Sequence, residues 1–220
     1  MARERNNTSS HLGGRSSGRR QDGNNPYQTS RGRDCDLDLP HVWLWGTCYD
    51  IGNTTSLDLR NSGLNTPING QIGNLVNLEY LDLSLNNING GIPSSIGNLI
   101  YLEKLYLNNN QLTGGIPSSL GNLTNLTILR LYNNQLTGGI PSPLGNLMNL
   151  TGLYLYNNQL TGGIPSSLGN LTNLIYYGLS LSSNQLTGQI PSEVCDLIES
   201  NNLDTDYILL GNPDLINTCD

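Results

Sequence analysis

The sequence predicts a repeat α/β solenoid. This is a right-handed superhelix of about six 24-residue units, with a parallel sheet on the concave face and short 3-10 turns on the convex face. Three observations carry this expectation. Leu81, Leu105, Leu129 and Leu153 recur every 24 residues. Asn86, Asn110, Asn134 and Asn158 keep the same step. So do Gly91-Ile92-Pro93, Gly115-Ile116-Pro117, Gly139-Ile140-Pro141 and Gly163-Ile164-Pro165. Self-similarity at a fixed period marks a stacked array. One unit cannot close a core alone, but stacked neighbours can.

The chain begins with a segment of different composition. Residues 1–34 hold seven of the ten Lys+Arg and three of the seventeen Asp+Glu, a balance of +4. They contain almost no aliphatic side chains, with Leu12 the only Leu. Such a segment buries too little apolar surface to offset its ordering entropy, so we expect a disordered Arg/Gly/Ser/Asn-rich tail. Neither a secretory leader nor an apolar run long enough to span a membrane is visible. The rest, 35–220, has three cations (Arg60, Lys104, Arg130) against fourteen acids, or −11. That acidic body argues against nucleic acid as a ligand of the repeats. Charged residues make up only 12% of the chain, so Asn, Thr, Ser and Gly must face water in their place.

Within each unit the positions have separate jobs. In Leu126-Thr-Ile-Leu129-Arg-Leu131-Tyr-Asn-Asn134 the centre reads as a short strand, its Leu residues inward and the residues between them outward. Asn134 then bends the chain, and its amide can satisfy backbone groups of the bend. Stacked, Asn86, Asn110, Asn134, Asn158 and Asn184 should form a ladder. In Gly-Ile-Pro, Gly permits a turn, Ile fills the core and Pro fixes φ where no ladder N–H is needed. Ser-Ser-Leu-Gly-Asn-Leu should cover the convex side as 3-10 turns. An earlier unit starts at Leu57 with Ser62 in the Asn slot. The last, at Leu179, follows a step of 26, because Ile175-Tyr176-Tyr177-Gly178 is two residues longer than its counterparts. The repeats therefore run over 57–192, between an N-terminal cap at 35–56 and a C-terminal cap at 193–220.

The pattern L-x-x-L-x-L-x-x-N-x-L-x-G-x-I-P-x-x-L-G-N-L-x-N closely resembles the plant-specific class of leucine-rich repeats. That class occurs in receptor-like kinases, receptor-like proteins and polygalacturonase-inhibiting proteins, and the resemblance covers about residues 35–220. Trp45-Gly46-Thr47-Cys48 resembles the family's N-terminal capping segment, and Leu210-Gly211-Asn212-Pro213 resembles its receptor-kinase C-terminal cap. Trp43 and Trp45 then read as plugs over the first repeat. Cys35 and Cys48 precede the first strand, while Cys195 and Cys219 follow the last Pro. Strands stacked at about 4.8 Å separate the two ends by roughly 24 Å. A disulfide needs Cα atoms within about 7 Å, so the pairs expected are Cys35–Cys48 and Cys195–Cys219. Disulfides imply the secretory route, hence an extracellular or cell-surface location, with an intracellular one as the alternative. In a secreted chain, Asn53, Asn122, Asn125, Asn149 and Asn170 would be glycan acceptors.

No catalytic constellation is visible. His11 and His41 are the only histidines, and no phosphate loop or metal-ligand spacing occurs. Asp36/Asp38 and Asp204/Asp206 read as solvated cap charge. No enzyme activity, cofactor or metal is expected. The outward strand positions instead gather Tyr80, Asp82, Lys104, Tyr106, Asn108, Arg130, Tyr132, Tyr154 and Tyr156. Tyr106, Arg130 and Tyr154 share one column, and Tyr132 and Tyr156 are neighbours in the next. Tyr and Arg are enriched at binding hot spots. The expected function is a non-enzymatic recognition module that binds a protein or peptide on its concave face, like a receptor or co-receptor ectodomain or a secreted defence protein. Its partner would be a receptor kinase or a secreted enzyme, and a carbohydrate also suits Tyr and Asn. The resemblance also implies an alternative, inhibition of a cell-wall-degrading glycosidase. Two others come from the residues: an intracellular scaffold, and ice binding through the column Thr113, Thr137, Thr161 and Thr187.

Overall fold

The computed structural model describes residues 40–219. The expected tail at 1–34, Cys35, and the Asp36/Asp38 pair lie outside the described residues. A six-stranded parallel sheet forms from Ser56–Asp58, Tyr80–Asp82, Lys104–Tyr106, Ile128–Arg130, Gly152–Tyr154 and Leu179–Ser180, each beside its sequence neighbour. The register puts Leu57, Leu81, Leu105, Leu129, Leu153 and Leu179 in one row, all buried. The strands are only two or three residues long because a single inward Leu per strand is all that each coil contributes to this row.

A second parallel sheet runs through Asn89–Gly90, Gln111–Gly114, Gln135–Gly138, Gln159–Gly162, Gln185–Gln189 and Asp214–Ile216. The predicted 3-10 turns follow at Gly70–Asn74, Ser94–Asn98, Ser118–Asn122, Ser142–Asn146 and Ser166–Asn170. Their glycines explain how closely these turns stack. A Cβ on Gly97 would sit 2.4 Å from the Ser119 carbonyl oxygen of the next unit, well inside van der Waals contact. Leu and Ile from the strands, the turns and the Gly-Ile-Pro segments fill one continuous core between the two sheets and the convex turns.

The asparagine ladder forms as the spacing requires. Asn134 Nδ2 donates to the carbonyls of Leu107 and Leu131, each at 3.0 Å, while its Oδ1 accepts from Leu112 N at 3.0 Å. One side chain thereby ties its own coil to the preceding one. Asn86, Asn110, Asn158 and Asn184 make equivalent bonds. Asn212 adds a further rung from the C-terminal cap, donating to Leu181 O at 3.0 Å and Ile208 O at 2.7 Å. Before each interior rung the chain takes a left-handed turn, as at Asn133 (φ 54), where Asn is the side chain best tolerated after Gly.

A second series of amides runs along the flank. Asn125, Asn149 and Asn173 donate to Ile100 O, Thr124 O and Met148 O at 2.8–2.9 Å, and Asn77 and Asn201 make similar bonds to Gly52 O and Thr172 O. In this series Tyr101 occupies the slot between Asn77 and Asn125.

Both described ends are sealed. An antiparallel hairpin, His41–Leu44 with Thr47–Asp50, covers the first repeat. Alternation in the strand decides which side chains seal it: Val42 and Leu44 are each 1% exposed. Trp45, at the turn, packs partly against the core. Trp43 falls on the other face of the hairpin, so of the two expected tryptophan plugs only Trp45 acts as one. At the far end the helix Ser192–Ser200 buries Val194, Leu197 and Ile198. Cys195 and Cys219 are disulfide-bonded with Cα atoms 5.0 Å apart, as expected. Cys48 is also in a disulfide, and its expected partner Cys35 is not among the described residues. No described helix is long and apolar enough to cross a membrane.

Candidate binding face

The parallel register sets the outward side chains in columns along the concave sheet. Tyr80 and Lys104 stand in the first column, while Asp82, Tyr106, Arg130 and Tyr154 follow one another in the second. Asn108, Tyr132 and Tyr156 belong to the third. Strands at about 4.8 Å bring such neighbours within ring-stacking distance.

The second column is a chain of ring contacts. The Arg130 guanidinium lies 4.8 Å from the Tyr106 ring centroid and 5.6 Å from that of Tyr154. Tyr80 meets Tyr106 edge to face at 5.7 Å. In the third column Tyr132 and Tyr156 stack nearly parallel, 4.4 Å apart with 8° between planes. Tyr154 lies back across its own strand, its ring over Gly152; a Cβ there would fall 2.5 Å from the Tyr154 ring. Lys104 stands beside Tyr80, outside these ring contacts.

Two of the predicted contact residues are largely covered. Asp82 is 5% exposed, accepting from Ser84 N at 2.8 Å and Tyr80 O–H at 3.2 Å. Asn108 is 6% exposed. Both are short side chains at the foot of taller rings, so they form the floor and Tyr80, Tyr106 and Tyr132 the relief. Burial pushes the Tyr80 hydroxyl up to about 12, with the Asp82 charge adding to the effect. Tyr156 is likewise pushed up to about 12, by burial first and then by the Tyr132 hydroxyl. Burial raises Tyr106 as well, against the opposing pull of Arg130.

The face carries two depressions. One of about 350 Å³ lies between Arg60, Tyr80, Tyr106 and Tyr132. The other, of about 530 Å³, adjoins the C-terminal cap and is lined by Arg130, Tyr132, Tyr154, Tyr156, Ser180 and Ser182, and by two residues absent from the sequence expectation, Tyr177 and Tyr207. Tyr177 and Tyr207 meet edge to face at 5.2 Å. The longer 26-residue step could have signalled Tyr177, because the extra residues sit directly before the strand at Leu179. Tyr207 comes from the cap helix Asp206–Leu209, where no repeat register exists to place it. Among the described residues no group of three or more His, Cys, Asp or Glu could hold a metal ion.

These features can be set against known proteins. A model of the leucine-rich repeat region matches residues 56–205. No curated protein matches the chain. Among solved structures, the ectodomain of the Arabidopsis thaliana membrane receptor kinase GASSHO1/SCHENGEN3, in complex with CASPARIAN STRIP INTEGRITY FACTOR 2, aligns at TM-score 0.64 and 46% identity over 66% of this chain and 17% of that one. The Arabidopsis receptor kinase HAESA, in complex with the peptide hormone IDA and the co-receptor SERK1, aligns at 0.61 and 45% identity, covering 66% of this chain and 24% of that one. A Pollen Receptor Kinase 3 structure aligns at 0.63 and 29% identity, covering 80% of this chain and 79% of that one. The chain therefore spans a quarter or less of the first two and most of the third. With the repeat model spanning more than half of its residues and its register shared with plant receptor ectodomains, the chain belongs to the leucine-rich repeat family, in its plant type.

Proposed function

We propose that this chain is a non-enzymatic recognition module that binds a peptide or protein along the aromatic half of its concave face. The observation that carries the reading is the continuous set of ring contacts Tyr80–Tyr106–Arg130–Tyr154, flanked by the Tyr132/Tyr156 stack. Rings and a guanidinium that hold one another in place lose little side-chain freedom on binding, which is what a hot spot requires. Support also comes from the neighbours' own complexes, one with a peptide hormone and a co-receptor and another with CASPARIAN STRIP INTEGRITY FACTOR 2. The Cys195–Cys219 disulfide supports an extracellular location. In that location the sequons at Asn122 and Asn170 lie on the convex turns, away from the proposed face.

The test is a phage-displayed random-peptide selection on the whole protein, with counter-selection on Tyr106→Ala/Arg130→Ala/Tyr156→Ala. Peptides enriched on the native chain and lost on the triple variant would support the reading. A selection that enriches the same peptides on both proteins, or none on either, would refute it, provided the variant keeps the native far-ultraviolet circular dichroism.

A further inference from the structure

The depression beside the C-terminal cap opens where the stacked rings of the third column end. In the third column Tyr132 and Tyr156 are stacked, and the next unit presents Ser182. In the second column Tyr154 is followed by Ser180. Beyond the serines the cap takes over the place of another strand. The Tyr207 carbonyl accepts from Leu181 N and Ser182 N, both at 2.8 Å, just as the Ser180 carbonyl accepts from Leu155 N at 2.8 Å. Tyr207 thus stands one step past Ser180, and Tyr177 meets its ring edge.

Tyr154 and Tyr156 stand on one side of the depression, Tyr207 lies two stacking steps, about 10 Å, along from Tyr154, and Tyr177 on the intervening coil meets Tyr207. A planar ring stacked on Tyr156 one step further along would lie about 5 Å from it, within the range of favourable aromatic contacts. Its edge would rest on Ser182, since Ser180 is only 3% exposed. The Tyr156 face turned away from Tyr132 looks along the stacking axis into this gap, because the Tyr132/Tyr156 planes are only 8° apart.

We infer that this depression is an anchoring slot for one aromatic side chain of a peptide ligand, which stacks on the open face of Tyr156 over Ser182. The inference rests on the proposed concave-face binding and adds the chemistry of the anchor. The open, flat face of Tyr156 favours a planar side chain over a branched aliphatic one. The tyrosine hydroxyls and the Ser182 hydroxyl also give an indole N–H or phenol O–H acceptors to meet.

The probes are two capped pentapeptides, acetyl-Gly-Gly-Trp-Gly-Gly-amide and its Leu counterpart, with cellotetraose as the sugar control. All are titrated against the whole protein by NMR chemical-shift perturbation. The Trp peptide should bind about tenfold more tightly than the Leu peptide. Tyr156→Ala should weaken it about tenfold, whereas Tyr101→Ala, on the flank, should not. Ser182→Tyr is the decisive variant, because Tyr is already tolerated in this column at Tyr132 and Tyr156. It should fill the slot and abolish the Trp preference while leaving the melting temperature unchanged. Equal affinity for the Trp and Leu peptides, unaltered Trp binding to Ser182→Tyr, or binding of cellotetraose in place of the Trp peptide would each overturn the inference. Peptides selected from the random library separate the two levels. If they bind native protein and Ser182→Tyr equally well, the slot assignment falls and concave-face binding stands; if no peptide is selected, concave-face binding itself falls.

Discussion

Removing a single rung of the asparagine ladder tests how the stacked coils are held together. Asn134 makes three short bonds that a methyl group cannot replace, two donated to the Leu107 and Leu131 carbonyls and one accepted from Leu112 N, all at 3.0 Å, beside a longer one to Tyr132 O at 3.4 Å. At about 1 kcal/mol net for each bond, Asn134→Ala should cost about 3 kcal/mol. For a folded body of this size that is a fall in melting temperature of roughly 6–12 °C. Asn122→Ala is the matched control, since Asn122 lies exposed on a convex turn and has no side-chain hydrogen bond; it should stay within about 0.5 kcal/mol of the native protein. Asn134→Asp refines the assay. A carboxylate still accepts from Leu112 N but turns negative charge toward two carbonyl oxygens, so at neutral pH it should be no better than Ala. Acidification should recover part of the loss, because a protonated carboxyl regains one donor. Urea unfolding of the four proteins gives the free energies. If Asn134→Ala and Asn122→Ala unfold at the same urea concentration, the ladder is incidental to stability and the reasoning fails.

Three further outcomes follow from the same structure. Gly97→Ala would place a Cβ 2.4 Å from the Ser119 carbonyl oxygen, whereas at Gly115 the nearest atom is 3.8 Å away; calorimetry should show a loss of about 2 kcal/mol for the first and almost none for the second. Replacing Cys195 and Cys219 together with Ser opens a loop of 24 residues and should cost about 3 kcal/mol, read by denaturant unfolding under non-reducing conditions. Tyr80 and Tyr156, each pushed up to about 12, should stay protonated at pH 11, where an unfolded Tyr (about 10) is mostly phenolate. The native state then holds more protons than the unfolded one, so the stability linked to these groups is fully present below pH 10 and is lost between pH 10 and 12. Phenolate absorbance in a pH titration should show two fewer late-titrating groups in Tyr80→Phe/Tyr156→Phe, and an unchanged curve would contradict the assignment.

What could be read from the residues divides at the limits of the period. Wherever the 24-residue step holds, a single inspected unit places every other one, and so Leu129, Asn134 and Tyr132 could be assigned to core, ladder and face before any coordinates. The reading weakens where the period breaks. Tyr177 belongs to the lengthened segment of the last unit and lines the depression there, while Tyr207 and Asn212 belong to a cap with no register and turn out to continue columns that begin in the repeats. Asp82 illustrates a different limit. The strand period correctly gives its direction, outward, but not its depth, which depends on the height of its neighbours: Tyr80 bends over it and leaves it 5% exposed. Trp43 and Trp45 are two positions apart and would share a face in a continuous strand, but the strand ends at Leu44 and Trp45 enters the turn with φ 46, which separates them.

The flank amides bear on how such a chain can change length. Asn125, Asn149, Asn173 and Asn201 each reach back to the coil before, as do the ladder asparagines, so both seams are written in units of a whole coil. Duplicating or deleting one complete coil leaves each surviving rung facing a carbonyl in the expected place. A partial insertion inside a coil would displace every later rung unless it bulged out between fastened points. The two additional residues at 175–178 occupy such a place, after the Asn173 rung and before the strand at Leu179, and the ladder resumes undisturbed at Asn184. Growth by whole coils, with novelty confined to short outward loops, is therefore the mode of variation this architecture permits, and the aromatic slot is built at the one coil where that freedom was used.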